Sequence, residues 1–428
     1  MSIKRFKKKI EQTTSLINPY IRTDAFYLFK GGFWVSSEFI LGSLLSLALS
    51  IVFANFLSRE VYGTYKYITS ITSSLGFLTL TGMNIAVTQA VANGQDSILK
   101  FAVKKQVRWN SLLTLALLAV AIYYFVNNNH IFGSAFAILS ITVPLTAAFN
   151  TYGAFLAGKK EFRRAAIFST LSHAIYITAM ILASVFGGNL IYIFIAYGIS
   201  TLLPQIIFYY LTIKKYKLTE THSIERKNAL DSYAKKLSVL NILSTLAQHI
   251  DQIIAFQFFG PAVLASFSIA SAVPDRLKGL MKSMLGILIP KLSAKSEISL
   301  RKTYYLRILQ MTLLGIGFSI ASFFLLPYFF AIFFKQYPES VFYAQLISLN
   351  FIFLFPQSYG GIYFQSQKLI KYIYASSMTT NLIRLGIYAI VAYFYGIIGL
   401  ILAKIIGNIL GLIINISLFE IHKRYNSL

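Results

Sequence analysis

Cysteine is absent from the chain, which excludes disulfide staples and thiolate metal sites. Acidic residues are scarce: 14 Asp and Glu stand against 39 Lys and Arg, a formal charge of +25. Charged residues of both signs make up only 12% of the 428 residues, half of the roughly 25% usual in soluble domains. Chemistry-bearing motifs are missing too. No Gly-rich phosphate loop, metal-spaced His cluster or nucleophile elbow occurs in any polar connection, so nothing suggests an ATPase, and no metal or cofactor is expected.

What remains is apolar. Hydrophobic residues make up 56% of the chain and mean hydropathy is +0.65. Apolar runs of about 20 residues cross a bilayer as helices, and these runs are too long and continuous for barrel strands. The expected fold is all-α, a polytopic membrane protein of 12 transmembrane helices. Spans are placed near 33–57, 62–83, 109–126, 131–156, 165–187, 189–213, 238–259, 262–290, 305–334, 340–366, 372–395 and 396–421. The splits at Gly187–Gly188 and Tyr395–Gly396 rest on glycine interrupting runs too long for one crossing.

The connections alternate in charge. The arm 1–30, loops 91–108, 158–164, 214–237, 291–303 and 367–371, and the tail after 421 together hold 30 Lys and Arg; the alternate connections hold only Arg59 and Lys335. Lys and Arg in short loops stay cytoplasmic, so both termini are expected on the cytoplasmic face. The basic excess is then topology and attraction to anionic headgroups rather than nucleic-acid binding. No cleavable signal peptide is expected, because MSIKRFKKKIEQ is followed by no small-residue cleavage site. The outer connections are short, with NNNH at 127–130 and GGN at 187–189. They leave no room for an external catalytic domain.

The chain also repeats itself. At an offset of 202, Phe56, Val61, Thr64, Tyr65, Tyr67 and Thr69 meet Phe258, Val263, Ser266, Phe267, Ile269 and Ser271. At an offset of 208, Lys160 meets Lys368, Arg163 meets Lys371 and Gly188 meets Gly396. Two six-span repeats starting on the same side are parallel, and transporters of that build place substrate between the halves. The expected organisation is a basic arm over 1–30, a first lobe over 31–213, a linker over 214–237, a second lobe over 238–421 and a tail over 422–428.

Charges inside the spans point to a site. The stretch VPDRLKGLMKSMLGILIP (273–290) carries Asp275, Arg276, Lys278 and Lys282. With about 100° per residue, Ser268, Ser271, Asp275, Lys278 and Lys282 share a stripe about 80° wide. A charge at mid-bilayer costs about 2.5–3.5 kcal/mol, so such a stripe faces protein or water. Other spans add Glu38, Lys66, Asp251, Arg384 and Lys404. The cations Lys66, Arg276, Lys278, Lys282, Arg384 and Lys404 outnumber the carboxylates Glu38, Asp251 and Asp275. They are expected to line a hydrated chamber suited to an anionic group, with Arg forks matching phosphate oxygens. The carboxylates are the candidates for a coupling site for H+ or Na+. Plainer readings stand beside these: Lys278 and Lys282 as snorkelling side chains, Arg276 as a partner of Asp275, and His249 and His173 as packed helix residues.

Several of these stretches resemble a known family. FLSREVYGTYKYITSITSSLGFLTLTGMNIAVTQAVANG (56–94), LAQHIDQIIAFQFFGPAVLASFSIASAV (246–273), ILIPKLSAKS (287–296) and FLAGKKEFRRAA (155–166) are similar to the polysaccharide-exporting flippases, the Wzx-like branch of the MATE-type (MOP) superfamily. The resemblance spans roughly residues 30–420. It implies a V-shaped pair of six-helix bundles. It also implies ion-coupled, alternating-access transfer of a polyprenyl-diphosphate-linked oligosaccharide across the bacterial inner membrane, with Arg276 or its neighbours holding the diphosphate. Glycosyltransferases and a polysaccharide polymerase of the same pathway become candidate partners. Twelve spans depart from the fourteen of lipid II flippases, which favours an O-antigen, capsule or related unit. The competing functions are a MATE-like exporter of small cations, which wants carboxylates in its cavity; a polymerase or glycosyltransferase, which needs long outer loops; and an uncoupled lipid scramblase.

Overall fold

The computed structural model describes residues 25–218, 224–293 and 296–425, so most of the basic arm, part of the linker and the last three residues of the tail lie outside the described residues. Every regular element among them is helical. Helix α1 is Ala25–Phe56, α2 Arg59–Leu75, α3 Met83–Ala92, α4 Ile98–Trp109, α5 Ser111–Val126, α6 His130–Phe149, α7 Thr151–Gly158, α8 Phe162–Phe186 and α9 Leu190–Tyr216. The second half has α10 Ile224–Ser293, α11 Glu297–Phe333, α12 Glu339–Leu349, α13 Phe351–Ser366 and α14 Ile370–Tyr425. Nine helical segments of the described residues are long and apolar enough to cross a membrane, or ten if α2 and α3, bent by 56°, form one broken span.

Two helices are too long for one crossing. Helix α10 has 70 residues and α14 has 56, and at 1.5 Å per residue each far exceeds the ~30 Å hydrocarbon layer. Each contains one residue off the helical conformation: Gly260 (φ 81, ψ 176) in α10 and Gly396 (φ 62, ψ −144) in α14. Helix α10 runs out and returns. Its Asp231 pairs with Lys105 among the basic connections, Pro261 meets Gly63 at the opposite end, and Leu292 is back in a core beside the basic connections. The φ and ψ of Gly260 belong to a region essentially reserved for glycine. Gly260→Ala is therefore expected to cost about 1–3 kcal/mol, read as a lowered unfolding temperature in detergent, whereas Gly317→Ala, mid-helix in open space, is expected to be neutral or mildly stabilising.

The basic connections hold more helix than the sequence suggests. Residues 98–108, expected within a loop, form α4 with Trp109; the helix buries Ile98, Leu99, Ala102 and Val103 and leaves Lys104 and Arg108 outside the core. Its charged face masks it in an average over hydropathy. Helices α10 and α11 likewise begin inside stretches expected to be loops. The break at Gly187–Gly188 is present, with Gly187 capping α8. The offset of 208 links turns of one geometry. Lys160 (φ 60) and Lys368 (φ 55) are both left-handed, and Glu161 N–H to Leu156 O is matched by Leu369 N–H to Phe364 O, both 2.9 Å. At the first of these turns burial opposes ionisation of Glu161, yet the Tyr216 hydroxyl and Lys215 hold its carboxyl below the usual range.

The cores divide unevenly. At the end away from the basic connections both halves share one aromatic-rich core, with Phe53, Tyr62 and Phe194 against Phe267, Phe330 and Tyr337. At the basic end there are separate cores. One holds Met83, Phe155 and Phe208 together with Leu230 and Ala234 from the start of α10; the other holds Leu285, Tyr304 and Phe419. The shared end is also tied by polar bonds: Arg59 to Glu339 at 2.8 Å and Asn55 Nδ2 to the Phe333 carbonyl at 3.0 Å. Small residues let helices close in where lipid gives no hydrophobic drive. A Cβ on Gly63 would stand 1.8 Å from the Pro261 carbonyl oxygen, and one on Gly82 2.4 Å from that of Ala234.

Candidate functional site

The intramembrane charges gather around the returning part of α10. One of two cavities there lies between the halves, and the other lies within the second half, lined by α10, α12, α13 and α14. The first, about 460 Å³, lies between α1, α8 and the returning part of α10 and is lined by Glu38, Ser46, Ser169, His173, Asp275 and Arg276 among others. The second, about 200 Å³, is lined by His249, Asp251, Asp275, Lys278, Arg384 and Lys404, with Asn350 and Asn408. Asp275 belongs to both walls. It is exposed, and it lies within electrostatic reach of Lys66, Arg276, Lys278 and Lys404.

Local sequence explains how each cation arrives. Gly407 leaves room for the Arg384 stem, because a Cβ there would lie 2.9 Å from the Arg384 Cγ. The guanidinium then donates to Asn408 Oδ1, and Asn408 donates on to Asn350 Oδ1 at 2.6 Å. Neutral acceptors thus orient Arg384 without cancelling its charge. Lys404 is different. It is ion-paired to buried Asp251 at 2.6 Å and stands 4.5 Å over the Phe267 ring. Lys278 is half-buried, lines the second cavity and has no ion pair among the described residues.

Arg276 crosses to α1. Its Nη1 donates to the Ala272 carbonyl at 2.6 Å; its Nη2 donates to the Ser46 carbonyl at 3.1 Å and to Ser50 Oγ at 3.3 Å. It forms no ion pair with Asp275; its partners are these neighbouring carbonyls and the hydroxyl. Gly279 supports this crossing, since a Cβ there would lie 2.5 Å from Phe39 of α1.

The expected set is not all brought together. Arg276, Lys278, Arg384, Lys404, Asp251, Asp275 and Glu38 line one or other cavity. Lys66 is half-buried, lines neither and lies 5.6 Å from the Tyr62 ring centre. Lys282, one turn beyond Lys278, is exposed and lines neither. Two histidines read as packing residues stand on cavity walls instead: His173, with Nε2 3.2 Å from Ser46 Oγ, and His249. Among the described residues no group of three or more His, Asp and Glu could hold a metal ion.

With this geometry in place, comparison with known proteins is informative. The profile of a family described as "Polysaccharide biosynthesis protein" matches residues 28–296, well over half of the chain. The protein belongs to this polysaccharide biosynthesis family. No curated protein matches the chain, but solved structures do. An inward-facing multidrug resistance MATE family transporter of the MOP superfamily superposes with a TM-score of 0.73 at 14% identity, covering 89% of this chain and 94% of that one. An outward-facing MATE family transporter gives a TM-score of 0.60 at 14% identity, with 95% and 98% covered. A MOP superfamily transporter from Pyrococcus furiosus, described as having a binding pocket of reverse polarity that suggests a different function, gives 0.62 at 14% identity, with 94% and 97% covered. This member of the polysaccharide biosynthesis family therefore has the MOP fold and is a multi-pass membrane protein.

Proposed function

We propose that the protein is a flippase. It moves a polyprenyl-diphosphate-linked oligosaccharide from the inner to the outer leaflet of the bacterial inner membrane, for assembly of an O-antigen, capsule or related polysaccharide. The observation that carries this reading is the second cavity, within the second half, where Lys278 and Arg384 make no ion pair among the described residues while Lys404 is held by Asp251; it adjoins, at Asp275, the recess between the halves. A diphosphate is the anion such a pair suits. The saccharide occupies the hydrated chamber and the prenyl tail stays in lipid through the gap beside α1 and the returning part of α10. No bond is broken, so no catalytic residue is needed.

Counting the reversals at Gly260 and Gly396 as turns between spans, and α2 with α3 as one span, gives twelve spans in two six-helix repeats. On this reading the lysine-rich connections and both termini are cytoplasmic, and the chamber opens inward. Transfer requires the bonds at the shared end, Arg59 to Glu339 among them, to break as the basic end closes. The Asp251–Lys404 pair is the natural point of ion coupling: H+ or Na+ at Asp251 would release Lys404 toward the substrate. Glycosyltransferases supplying the lipid-linked unit and a polymerase consuming it are the expected partners. A MATE-like cation exporter fits less well, because the cavity walls carry four cations, Arg276, Lys278, Arg384 and Lys404, against three carboxylates, Glu38, Asp251 and Asp275.

The test is reconstitution. Proteoliposomes holding undecaprenyl-diphosphate-linked N-acetylglucosamine are expected to expose the sugar to an external galactosyltransferase faster than protein-free vesicles. Ethidium accumulation driven by an ion gradient, with no sugar exposure, would overturn the reading.

A further inference from the structure

The two cavities differ in what they present to a ligand. The one along α1 and α8 carries two carboxylates, Glu38 and Asp275, and one cation, Arg276. The charge-carrying terminal nitrogens of Arg276 are already committed to the Ala272 and Ser46 carbonyls and the Ser50 hydroxyl. What remains free is acceptor-rich and hydroxyl-rich, with Ser43, Ser169, Thr170 and Ser283 on the wall. Ser169 faces the Glu38 carboxyl. Gly42 leaves open space where a side chain would stand. At about 460 Å³ the cavity lies within the ~300–1,000 Å³ typical of small-ligand sites. The neighbouring cavity has the opposite balance: Lys278, Arg384 and Lys404 stand against Asp251, which is paired to Lys404, and the shared Asp275.

A glycosyl diphosphate has this same division. Its charge lies on the phosphates, its hydroxyls lie on the sugar, and the two are directly bonded, so their sites must adjoin. These cavities adjoin at Asp275. We propose that the α1–α8 recess receives the sugar nearest the diphosphate, and that Glu38 and Asp275 select an uncharged or amine-bearing sugar over a carboxylated one. Carboxylates accept hydrogen bonds from hydroxyl and ammonium groups and repel a uronate. The inference rests on the flippase reading and adds the sugar's charge class to it.

The experiment uses the full chain in nanodiscs and three probes: polyprenyl diphosphates carrying glucosamine, N-acetylglucosamine or glucuronate. The chain has two tryptophans, and Trp34 shares a groove with Glu38, so its fluorescence in a Trp109→Phe background reports binding. The unsubstituted recess is expected to bind the glucosamine lipid about tenfold or more tighter than the glucuronate lipid, the scale of one charge-assisted hydrogen bond. Glu38→Gln is expected to bring that ratio close to one, and Asp275→Asn to move it the same way. Lys278→Gln is expected to weaken all three probes by a common factor. If both carboxylate variants keep the original ratio, or the parent shows none, the sugar recess is wrong and the flippase reading survives. If none of the three lipids binds the parent protein, the flippase reading itself fails.

Discussion

Replacing Lys278 and Arg384 together by glutamine is expected to lower transfer of a polyprenyl-diphosphate saccharide at least ~30-fold, with the protein still inserted in the membrane. Truncating one member of a desolvated charge pair costs about 2–5 kcal/mol, and every ~1.4 kcal/mol is tenfold. These two are chosen because their charge is available. Lys404 is held by Asp251, and the terminal nitrogens of Arg276 are held by carbonyls and a hydroxyl. Arg384 is oriented only by a neutral chain of amides, Asn408 and Asn350. Lys282→Gln, at an exposed site outside both cavities, serves as the contrast and is expected to change the rate less than ~3-fold, the scale of a surface charge. The measurement is galactosyltransferase accessibility of the reconstituted lipid-linked sugar. A double variant that transfers at the parental rate would remove the cationic cavity from the substrate's path.

The second large effect concerns stability. Asp251→Asn leaves the Lys404 ammonium, whose side chain is only 19% exposed, without its counter-ion. Removing one partner of a buried pair typically destabilises by about 3–5 kcal/mol, whereas replacing both by apolar groups of similar volume is close to neutral. The single variant is therefore expected to unfold at a clearly lower temperature in detergent, and Asp251→Leu with Lys404→Met to recover most of the loss. The Phe267 ring beneath Lys404 gives the methionine an apolar bed. If the double variant is as unstable as the single, the two charges are not acting as a pair. If the pair is also the coupling element, the double variant transfers substrate with no dependence on H+ or Na+.

Much of the arrangement was legible in the sequence because each signal was strong on its own. Long apolar runs locate the helices, and lysine counts separate the two sets of connections. The pairing of Lys160 with Lys368 joins two turns with the same left-handed residue. Helix α4 was not legible, since its alternation of Lys and Arg with Ile, Leu and Val reads as a polar loop. The site was legible as a list of charges but not as two cavities. Angular arithmetic treats one helix at a time and cannot tell how widely the partners stand apart. His249 points about 200° from Asp251 on a helical wheel, yet both line the same cavity, because α10 is flanked there by its own returning segment, α12 and α14. The hydroxyls of α1 and α8 carry no charge and draw no notice until Arg276 and Asp275 are seen opposite them.

The aromatic core common to both halves has a thermodynamic consequence. Parting the halves at that end would bring Phe53, Tyr62, Phe267 and Phe330 into contact with water. Newly wetted apolar surface raises heat capacity, so the free-energy difference between inward-open and outward-open forms must vary with temperature along a curve. In the proposed transport cycle, the balance of the two forms would then follow growth temperature as well as any coupling gradient.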